Sequence, residues 1–334
     1  MERVVITGGT GFLGSNLAKG LIKAGRDVTL IAKPASHFEG NLKDLGIEIE
    51  PINGDIKDYE FISGALKGCD TLYHFAAEVG NVSTMHGSKG AALSVMQTNM
   101  MIDMNIFRAC AANGVSKIIY PSSAAVYPTG GRPEDARPFR EEDADVNVNP
   151  EGGYGWAKYI AEKELGFLSD IKVGIARIFH TYGRNISLSK ERSQVMASLM
   201  RKAILYPSEG FTVWGDGTQR RGFVYVEDLV DALLKLDAYV DKKESLIVNI
   251  GSNQEITVAE LAKEIVRISG KQINIQFDTS KPSGSLVRQP NLEKIGRTLG
   301  WKPTTEIRTG LETTYRWASS RLAEGGSKSN TIST

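Results

Sequence analysis

The sequence predicts an α/β fold in which a doubly wound parallel sheet is followed by a smaller C-terminal α/β lobe. Three observations carry this reading. A β-branched run near the N-terminus ends in glycines at positions 8, 11 and 14 and passes directly into a helical pattern. Strand and helix patterns then alternate as far as Lys117–Pro121, the alternation that builds right-handed parallel crossovers. Beyond the strand pattern Lys172–Ile178 the elements shorten, and Gly-, Pro- and aromatic-rich connectors separate them.

Composition narrows the classes. The 334 residues suffice for one large α/β unit or two lobes. Lys and Arg number 40 against 39 Asp and Glu, for a net charge of +1, and the signs are mixed throughout, so no basic face argues for nucleic acid. Cys69 and Cys110 stand apart with no CxxC, as suits a reducing cytoplasm. The four histidines, at 37, 74, 86 and 180, show no metal-ligand spacing, so no metal is expected. No apolar run approaches a membrane span and no signal-peptide pattern precedes the first strand. A cytoplasmic chain without nucleic-acid or membrane partners is the expectation.

The first element is V-V-I-T-G-G-T-G-F-L-G (4–14), with a helix expected over Phe12–Lys23. Gly8, Gly11 and Gly14 allow a tight turn and close backbone approach to a pyrophosphate, while the N–H groups of Phe12, Leu13 and Gly14 at the helix start favour its negative charge. Ser15 stands where a P-loop requires lysine. Asp27–Ala32 reads as the second strand, whose end should lie beside an adenine ribose. NAD sites place an acid there and NADP sites small and basic residues. Ala32 followed by Lys33 leans towards NADP, a solvent-facing loop lysine being the alternative. Ile47–Asn53 reads as the third strand, after which Asp55, with Ile56 beside it, can approach the adenine amino group. Thr71–Phe75 is the fourth, running into Ala76 and Ala77, small enough for a cofactor to cross the sheet edge. A helix over Ala91–Asn113 and the fifth strand follow, and every motif falls on the carboxyl edge where such sheets bind ligands.

The fifth strand delivers P-S-S-A-A-V-Y (121–127) to that edge, and Tyr154-Gly-Trp-Ala-Lys158 then opens a helix to about Leu168. The spacing puts Tyr154 and Lys158 on one helical face. An ammonium there lowers the phenol pKa from near 10, and such a tyrosine can take a hydroxyl proton as hydride leaves the carbon. Ser123 would hydrogen-bond the same oxygen. In the second lobe, helices are expected over Arg192–Leu205, Val258–Ser269 and Thr305–Ala323, with strands at Leu246–Ile250 and Ile273–Phe277. Two arginine sites stand out there, Arg220-Arg221 after G-D-G-T-Q (215–219) and Arg288 in S-L-V-R-Q-P. Loop arginines of this kind can clamp a diphosphate, or simply face solvent. The expected division is a dinucleotide-binding unit over 1–178, with segments near 215–250 returning to it, a mainly substrate-binding lobe over 179–323, and a disordered tail over 324–334.

Taken together, T-G-G-T-G-F-L-G, Y-H-F-A-A (73–77), S-S-A-A-V-Y, Y-G-W-A-K, G-D-G-T-Q-R-R-G-F-V-Y-V-E-D and R-Q-P-N-L-E-K-I-G-R-T-L-G-W-K-P (288–303) resemble the extended short-chain dehydrogenase/reductases, the nucleotide-sugar epimerases and dehydratases, over essentially the whole chain. The resemblance implies a Rossmann fold, a catalytic set of Ser123, Tyr154 and Lys158 of which Tyr154 and Lys158 also bind the cofactor, a supporting Asn99 on the cofactor side, and Arg221 and Arg288 on the substrate diphosphate. It also implies a homodimer built on a four-helix bundle. Within the family, A-A-E-V-G-N (76–81), S-S-A-A-V-Y-P (122–128) and F-T-V-W-G-D-G-T-Q (211–219) look closest to the GDP-mannose 3,5-epimerase branch. That branch uses a cysteine where this chain has Ala125 and a lysine near Gln194, so double epimerisation loses its acid and base here. The 4,6-dehydratases place Asp-Glu after the serine or threonine and the decarboxylases a glutamate, where this chain has Ala124-Ala125. His180, in R-I-F-H-T-Y-G (177–183), replaces the family's usual asparagine, as a substrate ligand, a second acid/base or a cleft-wall residue. What remains needs only Ser, Tyr, Lys and a nicotinamide. The expected activity is a nucleotide-sugar epimerase working at carbon 4. The alternatives are an NADPH-dependent reductase of a 4-keto nucleotide sugar or related carbonyl, and a non-catalytic relative, whose signature would be a broken catalytic set.

Overall fold

The structure, a computed structural model, describes residues 2–34, 39–79, 89–129, 137–190, 193–281 and 287–329. Its centre is a sheet of seven parallel strands: β1 (Arg3–Thr7), β2 (Asp27–Ala32), β3 (Ile52–Asn53), β4 (Thr71–His74), β5 (Lys117–Ser123), β6 (Lys172–Ile178) and β7 (Leu246–Ile250). The order across the sheet is β7-β6-β5-β4-β1-β2-β3. The strand order reverses between β1 and β4, which opens a crevice at their carboxyl ends. Val4, Val5 and Ile6 are completely buried, as expected of a strand covered on both faces.

Each face has its own core. Leu17 and Leu21 of the helix Phe12–Lys23 pack with Leu233 and Leu236 of the helix Val226–Lys242 on one side. On the other, Ile102, Ile106 and Phe107 of the helix Lys89–Ala112 meet Ala161 and Leu165 of the helix Gly152–Leu165. A third core, with Met196, Met200, Phe211, Leu261, Ile265 and Leu311, fills the C-terminal lobe. There a small sheet sets Arg220–Gly222 between Glu255–Thr257, antiparallel, and Val287–Arg288, parallel. Among the described residues no helix is long and apolar enough to cross a membrane.

The structure corrects the sequence reading in three places. The third strand shrinks from Ile47–Asn53 to Ile52–Asn53, because Pro51 has no N–H for a ladder and the strand lies at the sheet edge. The strand expected at Ile273–Phe277 is Gln276–Asp278, paired with Thr212–Trp214. The last helix runs over Ile307–Ser329, into the segment expected to be a disordered tail. Leu311 and Ala318 dock its first turns, and each residue added to an established helix gains a hydrogen bond. Residues 330–334, and His37 and His86, lie outside the described residues.

Candidate active site

The glycine turn is assembled by backbone contacts that leave no room for side chains. Gly8 has φ +69°, and a Cβ there would lie 2.8 Å from the Ala76 nitrogen. A Cβ on Gly14 would lie 2.2 Å from the Gly8 carbonyl oxygen. Gly11 caps the helix Phe12–Lys23 without a side chain, so the first N–H groups, those of Phe12, Leu13 and Gly14, face the turn without intrahelical partners. This cradle fits a dinucleotide pyrophosphate. Lys33 and Asp55 are exposed, and Ile56 half-buried, beyond the ends of β2 and β3. The Ala32 carbonyl accepts the Gly54 N–H at 3.0 Å, which sets the two segments side by side. Ala76 and Ala77 are half-buried at the end of β4. Asn99 is buried, and its amide acts on that edge through the backbone: Nδ2 donates to the Glu78 carbonyl and Oδ1 accepts the Glu78 N–H, each at 2.9 Å.

Tyr154 is brought to the carboxyl end of β5 by two glycines that flank it. A Cβ on Gly153 would lie 1.9 Å from the Ala92 carbonyl oxygen, and one on Gly155 would lie 2.3 Å from that of Ala125. The Glu151 N–H donates to the same Ala125 carbonyl at 2.7 Å. The helix start is thereby pressed onto the short turn Ala124–Val126, which Ser123 caps by accepting the Ala125 N–H at 3.1 Å. Ser123 and Tyr154 belong to these two joined segments, and both are half-buried.

Lys158 departs from expectation. Its Nζ donates to the Tyr120 hydroxyl at 3.0 Å and lies 5.9 Å from the Tyr154 ring centroid. Tyr120 donates to Asp103 Oδ2 at 3.0 Å, His74 Nε2 meets Asp103 Oδ1 at 3.0 Å, and His74 Nδ1 meets Thr7 Oγ1 at 2.6 Å. A buried polar chain therefore runs from Lys158 to the residue before the glycine turn. Burial lowers the Lys158 pKa, and the Asp103 and Glu162 charges oppose that shift. The Tyr154 phenol is raised, by burial and then by Asp103, not lowered. The sequence reading missed Tyr120, Asp103 and His74. Asp103 follows Asn99 by four residues, one turn along the same buried face, and that spacing was the available signal.

The substrate-side candidates converge on the small sheet. Arg221 pairs in register with Arg288 on the neighbouring parallel strand, and Arg288 forms an ion pair with Glu151. Burial and the Arg288 charge push the Arg221 pKa down to about 10. His180 follows β6, and its ring centroid lies 5.7 Å from that of Phe223. Burial, then Arg221 and Arg288, push its pKa down to about 3. Ala124 and Ala125 are buried and Gln194 is exposed, so neither position presents an acid, a thiol or an amine.

A family model described as the NAD dependent epimerase/dehydratase family matches residues 4–251. The chain is 31% identical over 330 residues to UDP-N-acetyl-alpha-D-glucosaminuronate decarboxylase of Bacillus cytotoxicus, covering 95% of this chain and 97% of that one. It is 28% identical over 330 residues to GDP-mannose 3,5-epimerase 1 of Oryza sativa subsp. japonica, covering 96% and 82%. Its fold is similar to that of UDP-glucose 4-epimerase from Thermotoga maritima, solved with UDP-glucose, at TM-score 0.82 and 24% identity over 96% and 99% of the two chains. A doubly wound sheet with a glycine cradle at its carboxyl edge and a family match over most of its length lead to one conclusion: the chain belongs to the NAD-dependent epimerase/dehydratase family.

Proposed function

We propose that the protein is a nucleotide-sugar epimerase that inverts carbon 4 by transient oxidation. The observation that carries this is the pairing of an intact Ser123, Tyr154 and Lys158 set with buried alanines at 124 and 125. Elimination of water, loss of carbon dioxide and epimerisation at carbons 3 and 5 all need a further acid or base beside the sugar, whereas oxidation and re-reduction at one carbon do not.

Gly8, Gly11 and Gly14, the N–H groups of Phe12, Leu13 and Gly14, and Ala76 and Ala77 would hold the dinucleotide, with Asn99 fixing the backbone beside it. Asp55 and Ile56 would border the adenine and Lys33 the ribose, where its exposed cation favours NADP. When bound, the oxidised nicotinamide supplies a hydride acceptor and a positive charge. Tyr154 takes the proton of the 4-hydroxyl as the hydride leaves carbon 4, and Ser123 hydrogen-bonds the same oxygen. An ammonium at Lys158, which the Asp103 and Glu162 charges support against burial, would favour the phenolate that results. Arg221 and Arg288 anchor the diphosphate with His180 beside them, so the keto-sugar can turn over while its nucleotide stays fixed. Tyr154 then returns the proton as the hydride comes back to the opposite face of carbon 4, and the other epimer leaves. The same residues would serve a reductase of 4-keto nucleotide sugars with exchanging NADPH, a reading that Lys33 favours.

A homodimer is supported by the outer surface of the packed helices Lys89–Ala112 and Gly152–Leu165. Leu93, Met101, Met104 and Trp156 are exposed there, at 53%, 51%, 55% and 37%, as a face for a four-helix bundle would be. The decisive variant for the chemistry is Tyr154→Phe, which should abolish turnover and leave cofactor binding intact. A variant with a near-normal rate would sink the proposal.

A further inference from the structure

Asp103, His74, Tyr120 and Lys158 are all buried, and the hydrogen bonds among them fix where each proton lies. Thr7 Oγ1 accepts the Ala76 N–H at 3.3 Å, so its own O–H is left for His74 Nδ1. His74 Nε2 then keeps the ring proton and donates it to Asp103 Oδ1. Tyr120 donates its only proton to Asp103 Oδ2, so towards Lys158 Nζ its oxygen can only accept. Every donor thus leads to one carboxylate, which is therefore ionised, and the chain ends in an ammonium. Burial holds the imidazole neutral, and Asp103 has no lysine or arginine partner among the described residues. Glu162, the other anion near Lys158, is committed to Arg177 at 2.6 Å. The charge that answers Lys158 is Asp103, reached through the Tyr120 hydroxyl.

We propose that Tyr120, with Asp103 and His74 behind it, is a positioning unit that holds the Lys158 ammonium charged and aimed at the catalytic tyrosine. It rests on the catalytic set of the nucleotide-sugar reading above and gives a role to three residues which that reading leaves without one. A lysine head on a flexible four-carbon stem has no geometry of its own. Here one of its three N–H groups is spent on Tyr120, and the others remain for the Tyr154 side of the site. The groups that face Nζ are Tyr120 from β5, Asp103 from the helix Lys89–Ala112, His74 from β4, and Tyr154 and Glu162 from its own helix. No covalent bond forms or breaks. The unit acts through Lys158, so its loss should change the rate and the ionisation of the site and leave substrate binding in place.

The test variant is Tyr120→Phe. It removes the hydroxyl and keeps the ring, which lies with its centroid 4.2 Å from Lys158 Nζ and packs on His74 and Phe107. The first measurement needs no substrate: NMR of the protein labelled with 15N at lysine Nζ, followed through an alkaline titration, with Lys158→Arg identifying the resonance. Expected is a slowly exchanging Lys158 ammonium at pH 8 in the parent, and loss of its proton about one pH unit lower in Tyr120→Phe and in Asp103→Asn. The second is turnover of UDP-glucose and GDP-mannose across pH. In Tyr120→Phe kcat should fall about 10- to 100-fold with KM within about twofold. The alkaline limb of its profile should move to acid by about one unit, and the acid limb should stay, because Asp103 keeps its charge. A parent without the Lys158 resonance at pH 8 overturns the proposal. So does a folded Tyr120→Phe protein in which Lys158 titrates as in the parent, or one that melts lower while both limbs stay in place. Should neither sugar nucleotide turn over, the nucleotide-sugar reading falls, and the lysine titration still decides the positioning unit.

Discussion

Gly155→Ala separates positioning from chemistry. The added Cβ would lie 2.3 Å from the Ala125 carbonyl oxygen, 3.1 Å from its carbon and 3.2 Å from Pro150 Cβ. A tolerable carbon–oxygen contact is about 3.3 Å, so the start of the catalytic helix must retreat by about 1 Å from the turn that Ser123 caps. A misplacement of about that size costs roughly 100-fold in rate. Stability changes far less: overpacking costs about 1–3 kcal/mol, and alanine's better helix propensity offsets about 1 kcal/mol. The variant should fold, melt within a few degrees of the parent and bind dinucleotide normally, since the glycine turn is untouched. Turnover of the sugar nucleotide, melting temperature and dinucleotide affinity measured side by side check this. A folded, cofactor-loaded Gly155→Ala protein with kcat within threefold of the parent would refute the claim that this contact sets Tyr154 against Ser123.

Three further outcomes follow from the geometry. The Asp103 carboxylate raises the pKa of both Lys158 and Tyr154, so Asp103→Asn removes an anion and makes both groups lose protons at lower pH. Both limbs of the kcat profile should move to acid by about one unit with KM little changed, and limbs that stay in place contradict the placement of that charge. Lys33→Glu should shift the ratio of NADP to NAD affinity by about 10- to 100-fold towards NAD, the range for loss of a charge-assisted phosphate contact, and an unchanged ratio would return Lys33 to the solvent-facing alternative. Gly14→Ala forces a Cβ to 2.2 Å from the Gly8 carbonyl oxygen and should weaken dinucleotide binding at least about tenfold. Equal affinity in equilibrium titration would remove the cradle from the account.

The parallel sheet was legible because its signals are local. A β-branched run, three spaced glycines and a helical period can be read within a dozen residues, and they fixed the cofactor edge. The spacing of Tyr154 and Lys158 likewise gave their common helical face. It could not give the partner of Lys158, because Tyr120 comes from β5 and Asp103 from the helix Lys89–Ala112. The phenol pKa was consequently read in the wrong direction: spacing measures neither burial nor a carboxylate delivered from another helix. β7 carries little intrinsic signal of its place, since its partner β6 lies some seventy residues earlier and only the register Leu246↔Gly174 to Ile250↔Ile178 joins them. Gly153 and Gly155 carry no local signal of their role, because the carbonyls of Ala92 and Ala125 that lie against them come from other segments of the chain. His180 was visible only as a departure from the family pattern, and its arginine surroundings emerge from strand pairing.

The central claim is oxidation at carbon 4 with return of the same hydride to the opposite face. Its most direct test is to incubate the purified protein, with no cofactor added, with UDP-glucose and GDP-mannose carrying deuterium at carbon 4, and to follow each by NMR. The account predicts a carbon 4 epimer of one of them with the deuterium still on carbon 4 and no exchange of any ring position with solvent. A product without deuterium at carbon 4, solvent hydrogen at carbon 3 or 5, or conversion only when NADPH and a keto-sugar are supplied would contradict it.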